Sequence, residues 1–403
     1  MNNLKTKADA HTPQRIFEIA RSCRAYKESL AEARSFEDAP IIDKDMLYAS
    51  LAMCANDPDF HKGVYVSPTG GTSTRNPLHF PTDIRENHLQ RAVMSSYINE
   101  AKLLTEESIV LNLFGSTMMY RSAEIFNDYC ERAGATVLPV SAHCADDAAL
   151  FFARKFRANC VVGTVSRLVQ FAKYVSETDE QQHEFSDLIF AGESMAPYKQ
   201  AFIQEHLRAQ NISAVFGSAE AGPFGIKPAH LSGAKYLCPS EVVHIELANV
   251  DEEGFGTMIV TNLIRTRFPL LRYNTGDVVR LSTQRFGNKE MNMIEFRGRE
   301  DRSFQLGGEY YLLSEFGELF AGLLEFQIVL SYEQKQKMDK IVFRLVPADQ
   351  SPDATQMNEL AQRLHRMIES DHGLFIAEVE VAGIDQLTKS AHSHKIPRII
   401  DKR

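Results

Sequence analysis

Between residues 108 and 218 the chain alternates two hydrophobic periods. The short apolar runs "SIVLNLF" (108–114), "ATVLPV" (135–140), "NCVVGT" (159–164), "DLIFAG" (187–192) and "SAVFGS" (213–218) read as strands. The amphipathic stretches between them, 118–133, 146–156, 165–177 and 197–209, read as helices. Strands apolar on both faces, separated by helices, describe a parallel sheet covered on both sides. Ligands of such sheets bind beyond the carboxyl ends of the strands. "GST", "GTVS", "AGES" and "GSAEAG" fall at those ends and are expected to face one cleft.

The flanks follow other patterns. Residues 13–35 read as a helix, "SFEDAPIIDKDMLY" as a connector, and Pro81–Asp83 open a helix that runs to about Leu104. From about 240 to 296, strands broken by turns predict a β-rich subdomain. After Gly298, "SFQLGGEYYLL" reads as a hairpin and 314–323 as a helix. "EFQIVLSY" and "KIVFRLV" follow as strands, 354–370 as a helix and "FIAEVEVA" as a strand. The expected fold class is α/β, with a large N-terminal domain (1–298) and a small α+β C-terminal domain (299–403).

Composition narrows the partners. A chain of 403 residues is too long for one core. A net charge of −9 argues against nucleic acid. Neither a leader pattern nor a bilayer-length apolar run occurs, so a cytoplasmic protein without a membrane partner is expected. The six cysteines form no CxxC pair and read as free thiols, and His230, Cys238 and His244 fit no standard zinc spacing.

Four stretches carry candidate chemistry, and each has a plain alternative. "SPTGGTSTRNP" joins Gly70 and Gly71 to Thr69, Thr72, Ser73, Thr74 and Arg75. Such a loop can cradle phosphate through backbone N–H groups, hydroxyls and charge, or it can be a flexible turn. Glu220, in "VFGSAEAGPFG", can hold Mg²⁺ on a phosphate or be a solvated loop acid. Asp277, in "RYNTGD", can accept ribose hydroxyls or form a turn. Lys395, in "SAHSHKIPRIIDKR", is one cation of a basic tail.

Taken in order, six stretches resemble the adenylate-forming (ANL) superfamily, within it the phenylacetate–CoA ligase-like branch: "SPTGGTSTRNP", "FAGESM", "VFGSAEAG", "LIRTRFPLLRYNTGD", "FRGREDRSFQLGGEYYLLSEFGELF" and "HSHKIPR". The resemblance implies an AMP-forming acid–thiol ligase that joins a carboxylic acid to ATP, releases pyrophosphate and passes the acyl group on. It implies residues 69–75 on the β- and γ-phosphates, Glu220 on Mg²⁺, and Phe216 on adenine with Gly217 and Ser218 beside it. Gly192, Glu193 and Ser194 would form the opposite wall, Asp277 with Arg299 would hold the ribose, and Lys395 would bridge carboxylate and α-phosphate as the catalytic cation. Asp301 matches the hinge about which the C-terminal domain turns, and Gly307 and Gly308 the thiol donor's path.

The chain also departs from the family pattern. Thr74 stands where a loop glycine is usual, Ala219 where a hydroxyl residue precedes the metal-binding acid, His394 where a glycine precedes the lysine, and Phe216 replaces tyrosine. Each lost hydrogen bond to a charged group costs about 1.5–3 kcal/mol, which predicts a slow or specialised enzyme. Apolar walls expected near Phe114–Thr117, Val165–Ser166, Ala191–Gly192 and Phe216–Phe224 suit an aromatic acid. The acceptor is coenzyme A, a carrier protein or a reductase partner, as in EhpF-type phenazine and other antibiotic pathways, and a homodimer is compatible with the sequence. Two other classes compete: a nucleotide-binding scaffold, and a kinase or NTPase, which the absence of GxxxxGK[ST] disfavours.

Overall fold

The structure is a computed structural model describing residues 11–54, 59–68, 79–116, 119–178, 183–195, 197–299, 303–306, 309–333, 338–348, 354–368, 375–390 and 395–403. It opens with α1 (Pro13–Ser22), capped by the Thr12 hydroxyl, and α2 (Lys44–Cys54). The helix expected over 13–35 stops early because Cys23 turns extended. Tyr26 is thereby buried, and its hydroxyl donates to the Pro269 carbonyl at 2.6 Å. The stretch expected as a connector contains the first turns of α2. A two-stranded ribbon, β1 (Val64–Pro68) and β2 (His79–Asp83), flanks the glycine loop. Asp83 then caps α3 (Ile84–Glu100), accepting from the Arg85 and Glu86 amides.

The alternating region folds as its periodicity requires. β3 (Ile109–Asn112), α4 (Ser122–Ala133), β4 (Thr136–Leu138), α5 (Asp146–Phe156), β5 (Cys160–Gly163), α6 (Val165–Thr178), β6 (Asp187–Ala191), α7 (Pro197–Leu207) and β7 (Asn211–Ser218) follow in turn. β4, β3, β5, β6 and β7 lie side by side and parallel. Every β5 residue is buried, as expected of a strand covered on both faces. Gly134, at φ 72°, ends α4 and lets the chain turn back into β4.

The β-rich region is not a separate sheet. β8 (Gly222–Lys227), β9 (Lys235–Cys238), β10 (Val243–Ala248), β11 (Phe255–Asn262), β12 (Tyr273–Phe286) and β13 (Lys289–Arg299) extend the parallel sheet into one of eleven strands. The join is the antiparallel pair β7–β8. At that crossing a Cβ on Gly217 would collide with the Gly222 carbonyl, so the close approach requires glycine.

Beyond it come the hairpin β14 (Ser303–Leu306) and β15 (Glu309–Leu312), then β16 (Leu323–Glu333), β17 (Met338–Pro347), α8 (Ala354–Met367), β18 (Phe375–Val381) and β19 (Ile399–Asp401). The helix expected over 314–323 is only a single 3₁₀ turn, Leu313–Phe316. That turn lets Phe316, Leu319 and Phe320 pack as one cluster with Phe343. β18, β17, β16 and β19 form a four-stranded sheet with its own apolar cluster. Five residues of this C-terminal part, Leu324, Val346, Ile384, Leu387 and Ile396, instead pack into the large core. Among the described residues no helix is long and apolar enough to cross a membrane.

Candidate functional site

The carboxyl ends of β5, β6 and β7 open into a cleft of about 1160 Å³, roofed by the C-terminal part of the chain. Gly192, Glu193, Ser194, Phe216, Gly217, Ser218, Glu220, Arg299 and Lys395 all line it. Residues separated by some two hundred positions thus share one space. The Thr69–Arg75 loop, Thr117, Asp301, Gly307, Gly308 and His394 lie outside the described residues, whereas Ser67 and Pro68, entering the loop, line the cleft.

The wall bearing Glu220 is held from behind by a buried polar network. The Gln90 amide donates to the carbonyls of Ala221 (2.8 Å) and Pro223 (2.9 Å). Asn262 also donates to the Ala221 carbonyl (2.9 Å), while its oxygen accepts the amides of Ile264 and Arg265. Arg265 donates to the Glu220 carbonyl and, at 3.2 Å, to Gln90. Burial lowers the Arg265 pKa to about 10, against the pull of Glu86 and Glu220. These bonds consume the loop's backbone acceptors and leave the Glu220 carboxylate beside the Tyr273 hydroxyl. The Tyr273 pKa is raised, first by burial and then by Glu220. Such a hard-oxygen set suits Mg²⁺, which keeps most of its shell as water and phosphate oxygen. No group of three His, Cys, Asp or Glu able to hold a metal by itself occurs among the described residues, and Cys238 is a buried free thiol.

Phe216 stands within an aromatic group, 4.8 Å from Tyr236, 5.4 Å from Phe224 and 6.0 Å from Phe296, centroid to centroid. Glu193 accepts from the Ser166 amide (2.7 Å) and hydroxyl (2.9 Å), which ties the β6 end to α6. The Ser218 hydroxyl accepts the Ala221 amide at 3.0 Å, so it serves the turn beside Ala219. Asp277 pairs with Arg299 at 3.2 Å, and Arg299 also donates to the Thr275 carbonyl. Thr275 and Arg299 line the cleft, and Asp277, paired with Arg299, is not among its lining residues.

Lys395 enters from the C-terminal side. Its ammonium donates to the Gly192 carbonyl at 2.6 Å and lies 5.9 Å from the Tyr120 ring centre. Burial opposes its charge, but Tyr120 and Glu193 outweigh it and hold the pKa above the ordinary lysine value. Gly192, at φ 77°, leaves room that a Cβ would take from this ammonium.

Of the expected acyl walls, Val165, Ser166, Ala191, Gly192 and Phe216 line the cleft. Phe114 is instead buried against Phe126, ring centres 4.3 Å apart, and Phe224 is buried behind Phe216. Sequence reading missed Tyr120, Arg121, Ser122 and Ile125, on or just before α4, although they follow a strand end. It also missed Lys199, Glu325 and Arg398. The signal for Glu325 was present: an acid inside the apolar run "LLEFQIVL".

No family model matches the chain. A search of curated proteins finds the indoleacetate–lysine synthetase of Pseudomonas savastanoi, 25% identical over 315 residues, 75% of each chain. Among solved structures, 2-hydroxyisobutyryl-CoA ligase in its postadenylation state with 2-HIB-AMP superposes with TM-score 0.72 at 19% identity, covering 96% of this chain and 89% of that one. The same ligase in its thioesterification state, with 2-HIB-AMP and CoA, gives 0.61 at 20% identity, covering 96% and 88%. The chain has the fold of the ANL adenylate-forming ligases.

Proposed function

We propose that the protein is an AMP-forming ligase that activates a carboxylic acid as its acyl-adenylate and transfers the acyl group to a second substrate. One observation carries this reading: the Lys395 ammonium reaches the Gly192 carbonyl inside the cleft that Glu220 also lines. A cation and a carboxylate from distant parts of the sequence can then act on one nucleotide.

In the first half-reaction a carboxylate oxygen attacks the α-phosphorus of ATP. The bond to pyrophosphate breaks and its electron pair leaves with pyrophosphate. Charge builds on the α-phosphoryl oxygens and on the departing group, so the protein's task is positioning and charge stabilisation. Lys395 supplies the preorganised cation beside the attacking oxygen. Phe216 and the Gly192–Ser194 wall sandwich the adenine, Asp277 and Arg299 hold the ribose, and residues 69–75 take the outer phosphates. Glu220 would hold Mg²⁺, which when bound neutralises phosphate charge. In the second half-reaction the acceptor attacks the acyl carbon, the C–O bond to AMP breaks, and the acceptor's proton is released. Division of the chain at 298/299, with a swivel about Asp301, belongs to this proposal.

An aromatic acid fits the aromatic and small residues of the cleft, and the curated relative's name carries an aryl acid. A phenylacetate–CoA ligase-like or EhpF-type enzyme acting on an aryl or phenazine carboxylate follows from that fit and from the resemblance. Coenzyme A is the first acceptor to try, then a carrier-protein thiol or a reductase partner. A second reading, amide formation with an amine, is favoured by the lysine in the relative's name.

The test is ATP–pyrophosphate exchange across aromatic, fatty and amino acids, followed by acceptor trials with coenzyme A and with lysine. Acid-dependent exchange supports the reading. Formation of ADP, or no exchange with any acid, overturns it.

A further inference from the structure

The interface between the two parts of the chain contains a charge cluster with no evident place in the chemistry. Lys199, on α7, and Glu325, at the start of β16, each leave only 1% of the side chain exposed. The Lys199 ammonium donates to one Glu325 oxygen. The other oxygen faces the Arg398 guanidinium at 2.7 Å, and Arg398 lies over the Phe326 ring at 4.2 Å. Arg398 is three positions beyond Lys395.

Two residues along β16, Gln327 is fully buried. Its amide donates to the carbonyls of Thr388 (2.8 Å) and Pro397 (3.1 Å), and its oxygen accepts the Thr388 amide at 3.0 Å. It thereby clamps both ends of the segment that presents Lys395. Residues two apart on a strand share a face. One face of β16 therefore fixes the lysine segment to the small sheet and fixes that sheet to α7.

A buried ion pair adds little net stability, because desolvation cancels much of the attraction. What it supplies is intolerance of misplacement: removing one member leaves the others buried and uncompensated. We propose that Glu325, acting with Lys199 and Arg398, is a positioning residue that holds the C-terminal part in the arrangement where Lys395 reaches the nucleotide cleft. This rests on the reading of Lys395 given above only for its catalytic consequence; the docking itself is a property of the apo chain.

The experiment is hydrogen exchange of the full-length chain without ligand, read by mass spectrometry at pH 7 and pH 9 and corrected for intrinsic rates. In Glu325→Gln, Lys199 and Arg398 face each other with no anion between them. Exchange in 197–207 and 383–398 is expected to rise about tenfold or more at pH 7, with β3, β5 and β17 unchanged. Glu193, Glu325 and Arg398 are the charged groups acting on Lys199, whose own burial lowers its pKa to about 8. In Glu325→Gln, loss of the Lys199 proton relieves the repulsion, so protection is expected to recover at pH 9. Lys199→Met keeps the Glu325–Arg398 pair, and is expected to loosen the same segments less and without the pH response. Protection within about twofold of wild type in both variants, equal loosening of Glu325→Gln at both pH values, or loss throughout the chain in both variants each overturns the proposal.

Pyrophosphate exchange with indole-3-acetate as probe, or with whichever acid the screen selects, is expected to fall about a hundredfold in Glu325→Gln. If wild type shows no exchange with any acid, the functional reading fails while the docking result still stands.

Discussion

The two sides of the cleft are built differently. The wall that bears Glu220 belongs to the continuous eleven-stranded sheet and is fastened by Gln90, Asn262 and Arg265, all buried. The side that bears Lys395 is delivered across an interface, by five apolar residues, the Lys199–Glu325–Arg398 cluster and a Lys389–Gln170 contact. One side is fixed by covalent continuity and sheet registry, and the other by docking. A binding surface gains from rigidity. A group needed in one half-reaction and in the way of the next gains from being detachable.

Substitutions can sharpen this contrast. The largest effect is expected from Lys395→Ala, which removes the cation from the docked side. Pyrophosphate exchange should fall about a hundredfold or more, while ATP affinity by calorimetry stays nearly unchanged. On the fixed side, Glu220→Gln should reduce exchange about tenfold to a hundredfold and weaken its dependence on added Mg²⁺ in a titration. Asp277→Asn should weaken nucleotide binding by about tenfold, since a hydrogen bond to a charged acceptor contributes roughly 1.5–3 kcal/mol.

Asn262→Ala strips the Ile264 and Arg265 amides of their acceptor, and should lower stability by about 1–3 kcal/mol in thermal or denaturant unfolding. Hydrogen exchange at 383–398 should not change in that variant, because docking does not pass through Asn262.

The smallest effect concerns pH. In the docked chain, burial and Arg398 lower the Lys199 pKa from the ordinary lysine value of 10.5 to about 8, against Glu325 and Glu193, and undocking removes Arg398 and part of that burial. The undocked form therefore binds more protons between these values, and docking strengthens as pH rises through that window. Exchange at 197–207 in the wild-type chain should slow modestly between pH 8 and pH 10 after intrinsic correction. Lys199→Met should abolish the trend.

Much of the architecture was legible because its causes are local. Val, Ile and Leu runs punctuated by glycine set β3 to β7, and the boundaries of α5 agree with the hydrophobic period residue for residue. Glu220 and Lys395 were singled out by the resemblance of the motifs around them, since a loop acid and a tail cation are ordinary when taken alone; the structure brings both to one cleft. Three things were not legible. Fusion of the β-rich region with the parallel sheet depends on one long-range pairing, β7 with β8, which no local pattern encodes. The early end of α1, where Cys23 turns extended, lets Tyr26 reach the Pro269 carbonyl 243 residues away, a long-range contact that no local pattern encodes. The Glu325 cluster depends on an interface, and in the sequence it appears only as a charge inside an apolar strand.

The central claim is that a carboxylate attacks the α-phosphorus of ATP in this cleft. It is tested most directly by supplying the acid that gives the strongest exchange with both carboxylate oxygens as ¹⁸O, and weighing the nucleotide product after acyl transfer. The account expects AMP carrying one ¹⁸O, donated when the acyl–phosphate bond is later broken at carbon. Unlabelled AMP, or ADP in its place, would contradict it.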